Sequence, residues 1–141
     1  MGTLARPESG SNNRNLGNSH RWALWAIVDE AALRRVVGGP GTMREQIGFL
    51  AEMARRPDIT VQILPFAGGG HAAECGRMTL LRFAEPELAD VVYLERLTGA
   101  LYPDRTSDVL RYLDVLNRLG VQAEPPSRTF AFLEEIERSL A

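Results

Sequence analysis

The sequence predicts an α+β domain: a small mixed β-sheet of about four strands, with one crossover helix and two C-terminal helices packed on it. Three observations predict it. An unbroken apolar run from Trp22 to Val28 reads as a strand covered on both faces. An amphipathic stretch and then an alternating segment follow, the order of a strand–helix–strand crossover unit. From Arg105 onward the chain carries two apolar helical periods divided by Pro125-Pro126.

Asp29 and Glu30 end the first strand, and "EAALRRVV" predicts a helical turn before "GGPG" breaks the chain. Thr42 and Glu45 have capping-box spacing, so the crossover helix is expected to start at Thr42. Met43, Ile47, Leu50 and Ala54 fall on its inner face, widened by Phe49 and Met53, and Pro57 ends it. In "ITVQILPF", Ile59, Val61 and Ile63 alternate with Thr60 and Gln62, the pattern of a half-buried strand. "RMTLLRF" and "DVVYLERL" predict two more strands, antiparallel because their link is short. "TGALYPD" reads as a loop. The last two helices are expected at about Arg105 to Leu119, with Gly120 as C-cap, and about Ser127 to Leu140. Their inner faces are Leu110, Leu113, Leu116 and Leu119, then Phe130, Leu133, Ile136 and Leu140.

Bulk properties narrow the function. A chain of 141 residues, 45% hydrophobic and 24% charged, suits one globular domain, assigned to residues 22–141. Residues 1–21, rich in Gly, Ser, Asn and Arg, read as a flexible arm with no secretory signal. A net charge of -2, with all 16 basic residues scattered arginines, argues against direct nucleic-acid binding. No stretch approaches the roughly 20 apolar residues of a membrane helix. A single cysteine, Cys75, fits a reducing cytoplasm.

Chemistry-bearing residues are few. Gly68 to Gly70 lead to His71 and a strand rather than a helix, and the chain has no lysine, which excludes a nucleotide phosphate loop. His71, Glu74 and Cys75 share that loop, too few ligands for zinc, so no metal or cofactor is expected. His71 can equally be a loop histidine bonded to backbone, and Cys75 a small apolar filler. Tyr93 and Glu95 share one face of their strand. If strand ends converge, Asp29, Glu95 and His71 form an acid/base set, and Trp25, Phe66, Glu74, Cys75, Tyr93 and Tyr102 line the pocket. The plainer reading pairs Glu95 with an arginine such as Arg82, and places the aromatic residues in the core.

The stretch "IVDEAALRRVVGGPGTMREQIGFLAEMARRPDITVQILPF", then "GGGH", "MTLLRF", "DVVYLERLTGALY" and the closing helices resemble a known domain. It follows an Xre-type helix-turn-helix in many actinomycete regulators, often described as antitoxin-like. The likeness spans about Trp22 to Leu140. It implies a cytoplasmic sensing or partner-binding module whose partner is a small protein encoded nearby. Two departures bear on function. The residues before Trp22 have neither the length nor the apolar period of a helix-turn-helix, so DNA binding is not expected. In "AAECGRM", Glu74, Cys75, Arg77 and Met78 replace the segment usual in that family.

Two functions are therefore expected: a stand-alone module for a small molecule or small partner protein, or a cofactor-free cyclase or isomerase acting on a small natural-product-like substrate. A homodimer through the terminal helices is a further option.

Overall fold

The computed structural model describes residues 2–7, 22–70 and 76–140, the first of these as backbone only. The class is α+β, as expected. The strands are β1 (Gly2–Pro7), β2 (Trp22–Asp29), β3 (Ile59–Leu64), β4 (Met78–Leu81), β5 (Val91–Arg96) and β6 (Gly99–Leu101). The helices are α1 (Glu30–Arg34), α2 (Pro40–Met53), α3 (Thr106–Gln122) and α4 (Thr129–Ser139). One six-stranded sheet runs in the order β3-β2-β1-β4-β5-β6.

The parallel β2–β3 pair and the antiparallel β4–β5 pair match expectation. Two strands were not foreseen. Residues 2–7, expected in a flexible arm, form β1, antiparallel to β2 and parallel to β4. "GTLARP" is too short and mixed to signal a strand alone; neighbours on both sides supply its ladder. Without β1 the sheet would fall into β3-β2 and β4-β5-β6. Residues 8–21 lie outside the described residues. Likewise, "GAL" forms β6 where a loop was expected, because Arg96 pairs directly with Gly99 across a tight hairpin.

Alternation along the strands makes two cores. On one face Ile27, Leu64, Met78, Leu80, Val92 and Leu94 meet Leu116, Leu119 and Ala123 of the α3 region. On the other, Val28, Ile59, Val61 and Ile63 meet Leu33, Ile47, Leu133 and Ile136 from α1, α2 and α4. Each buried Leu or Ile contributes about 1.5–3 kcal/mol. Thus β2 and β3 are covered on both faces. Gln62, expected on an exposed face, is buried under α3 for that reason.

Helix ends differ from expectation in instructive ways. Proline at N1 has its φ already set for a helix, so α2 starts at Pro40 rather than Thr42. The chain enters through Gly39 at φ 94°, open chiefly to glycine. The Thr42 hydroxyl donates to Gly38 O at 3.0 Å instead of forming a capping box. Phe49 and Leu110, expected inside, are exposed. Most telling is Gly120, which does not cap α3 but sits within it, before the C-cap at Ala123. A Cβ there would lie 2.4 Å from Cζ2 of Trp25, so the missing side chain is the indole's seat. The last helix begins as a 3-10 turn at Pro126–Arg128, and Thr129 rather than Ser127 opens its α-helical part.

The outer edge of β3 is occupied. Glu124 N–H donates to Ile63 O at 2.9 Å, and the buried Thr129 hydroxyl donates to Val61 O at 2.6 Å. These bonds satisfy edge carbonyls that would otherwise be stranded under α4. Among the described residues, β6 has no strand beyond it.

Two substitutions test this architecture. Gly120→Ala gains about 1 kcal/mol in helix propensity, but the clash with Trp25 should cost about 1–3 kcal/mol. We therefore expect a net fall in the urea midpoint; a rise would refute the close approach. Leu4→Pro removes an amide donor from an interior strand and should cost about 2 kcal/mol. An unchanged midpoint would show that β1 does not join the halves.

Candidate functional site

Asp29 ends β2 and caps α1: its Oδ1 accepts from Ala31 N–H at 2.7 Å. Glu95 lies on β5, where its carboxylate accepts from Arg77 Nη1 at 2.7 Å. Both groups of this pair are exposed. Strands β2 and β5 are separated by β1 and β4, roughly 14 Å at about 4.8 Å per step. Asp29 follows Trp25 and Ile27 on the α3 side of the sheet, while Glu95 follows Tyr93 on the other. The two carboxylates therefore do not converge. His71, Glu74 and Cys75 lie outside the described residues.

The aromatic candidates separate too. Trp25 is half-buried against the α3 core, and its Nε1 donates to Gln62 Oε1 at 2.7 Å. Gln62 Nε2 in turn donates to Gly120 O at 3.1 Å and Glu124 O at 3.0 Å. Trp25 thus builds the core rather than a pocket wall. Phe66 is exposed in a 3-10 turn after β3, and its N–H donates to Glu30 Oε2 at 2.8 Å. Tyr93 and Tyr102 do meet, with ring centroids 5.3 Å apart and planes tilted by 56°. Arg82, considered as a partner for Glu95, instead grips Asp90, with Nη2 2.6 Å from Oδ2. Those hydrogen bonds raise the Arg82 guanidinium above its ordinary value, against the opposing effect of burial.

Among the described residues, one cleft lies beside Tyr102. It has a volume of about 440 Å³, within the range of small-molecule sites. Leu101, Tyr102, Pro103 and Asp104 line it from the exit of β6, and Asp108, Arg111, Tyr112 and Val115 from one face of α3. Of these residues, only Tyr102 is a candidate from the sequence. The signal was the helical spacing 108, 111, 112, 115 directly after an aromatic loop, hidden because the preceding "TGAL" was not seen as a strand.

Glu30 was also passed over as a strand terminator. It is 6% exposed, and besides Phe66 N–H it binds Arg34 Nε at 2.5 Å. Its carboxylate ties α1 to the exit of β3, an anchoring role. Among the described residues no group of three or more His, Cys, Asp and Glu is placed to hold a metal ion.

Residues 11–135 match the family described as a domain of unknown function (DUF5753), and the chain belongs to that family. No curated protein and no solved structure matches the chain. Among the described residues, no helix is long and apolar enough to cross a membrane.

Two carboxylates should respond differently to removal. Glu95→Gln breaks an exposed pair and should change stability by about 0.5 kcal/mol or less. Glu30→Ala leaves Phe66 N–H without its acceptor and Arg34 with only Glu135 at 3.7 Å, and should cost about 2–3 kcal/mol. Equal losses in urea denaturation would contradict the assigned environments.

Proposed function

We propose that this domain is a ligand- or partner-binding module, of the kind that forms the effector half of an Xre-type regulator, acting in the cytoplasm. The observation that carries the reading is the cleft of Tyr102, Tyr112, Asp104, Asp108 and Arg111, set against a rigid helix. Aromatic walls with a few polar groups at fixed positions are the usual make-up of a recognition site. The cleft asks for binding, not for proton transfer. The alternative, a cofactor-free cyclase or isomerase, has weaker support, because its two carboxylates, Asp29 and Glu95, face opposite sides of the sheet.

Immobilised protein exposed to cytosolic extract tests this reading, with bound small molecules and proteins identified by mass spectrometry. Tyr102 and Arg111 are exposed, so Tyr102→Ala and Arg111→Glu should each alter stability by no more than about 1 kcal/mol. We expect the unaltered protein to retain a specific molecule that both variants lose. Equal retention by all three proteins, or none by any, would defeat the assignment.

A further inference from the structure

We propose that the cleft between the β6 exit and α3 receives an ammonium group carried on an apolar body, so that its ligand is an amine. The inference rests on the binding-module reading and names the chemistry of the ligand. Asp104, Asp108 and Arg111 line the cleft, yet among the described residues none of the three side chains has a hydrogen bond or ion pair. Elsewhere the chain pairs such groups readily: Arg118 meets Asp114 at 2.9 Å on the same helix, and Arg82 meets Asp90 at 2.6 Å. Asp108 and Arg111 are three apart on α3, within pairing reach, but do not pair. Two carboxylates against one guanidinium leave the cleft net negative.

The macrodipole of α3 accounts for an acid at Asp108, in its first turn. It does not account for Asp104, which precedes the N-cap Arg105. The tyrosines add to the same preference. Tyr102 and Tyr112 both line the space, and an aromatic face attracts a cation and repels an anion. The ring of Tyr102 also meets that of Tyr93, with centroids 5.3 Å apart. Leu101, Pro103 and Val115 supply an apolar surface for the ligand's body. Arg111 is left to meet a second, anionic group if the ligand carries one.

Amide NMR spectra of the full chain, titrated separately with 2-phenylethylammonium, 2-phenylethanol and 3-phenylpropionate at fixed ionic strength, test the proposal. The ammonium probe should shift amides between Leu101 and Val115 saturably, and bind about tenfold more tightly than the propionate. The double variant Asp104→Asn/Asp108→Asn should weaken the ammonium about tenfold while leaving the neutral alcohol unchanged. Spectra unchanged outside the cleft would show the variant folded. Propionate binding there as tightly as ammonium overturns the amine assignment while leaving a ligand cleft, and with it the module reading, intact. If no probe shifts these amides, the cleft itself is not a small-molecule site, and the proposal falls; the extract experiment reports on the module reading separately.

Discussion

The structure turns on one buried amide. Gln62 projects from β3 toward α3, accepts a hydrogen bond from the indole N–H of Trp25, and donates through its amide N–H groups to Gly120 O and Glu124 O. One side chain therefore joins two neighbouring strands, the last turns of α3 and the start of the α3–α4 connection. Both of its hydrogens and its oxygen are used, so burial leaves nothing unpaired. The indole could not reach Gln62 if residue 120 had a side chain. A glutamine, a tryptophan and a glycine distant in sequence are thus a single device. It fixes the C-terminal end of α3 against the sheet.

The two faces of the sheet are used unequally. Helices α1, α2 and α4 gather over β2 and β3, while α3 serves the opposite face. Beyond β1 the sheet is covered on the α3 side, and on the other side Leu81 is exposed, with Val91 and Tyr93 half-buried. The cleft lies where the sheet runs out past β6, at the margin of the α3 core. Its polar groups come from a loop and from the first turns of a helix, close to solvent.

How legible this was depended on the range of the interactions. The Trp22–Val28 run, the 59–63 alternation and the helices from Thr106 and Thr129 obey local periodicity, and those elements were found. β1 and β6 were not, because each is held by its neighbours rather than by its own residues. Gln62 was misplaced for a related reason: alternation shows which residues share a face, not whether a helix covers it. Of the site residues, Tyr93 and Tyr102 do come together. Asp29 and Glu95 looked alike as acids near strand ends, but the strand order that separates them depends on β1. Asp104, Asp108 and Arg111 resembled any solvated charges around a helix start. Only their shared cleft, and side chains without partners among the described residues, set them apart.

The unequal edges of the sheet have a consequence for self-association. One border, β3, has carbonyls already engaged by Glu124 and Thr129 beneath α4, so it offers no template to another chain. The opposite border is three residues long. A body with a single usable seam can join one sibling back to back, after which no seam is left. Among the described residues, growth by strand addition would therefore halt at a pair.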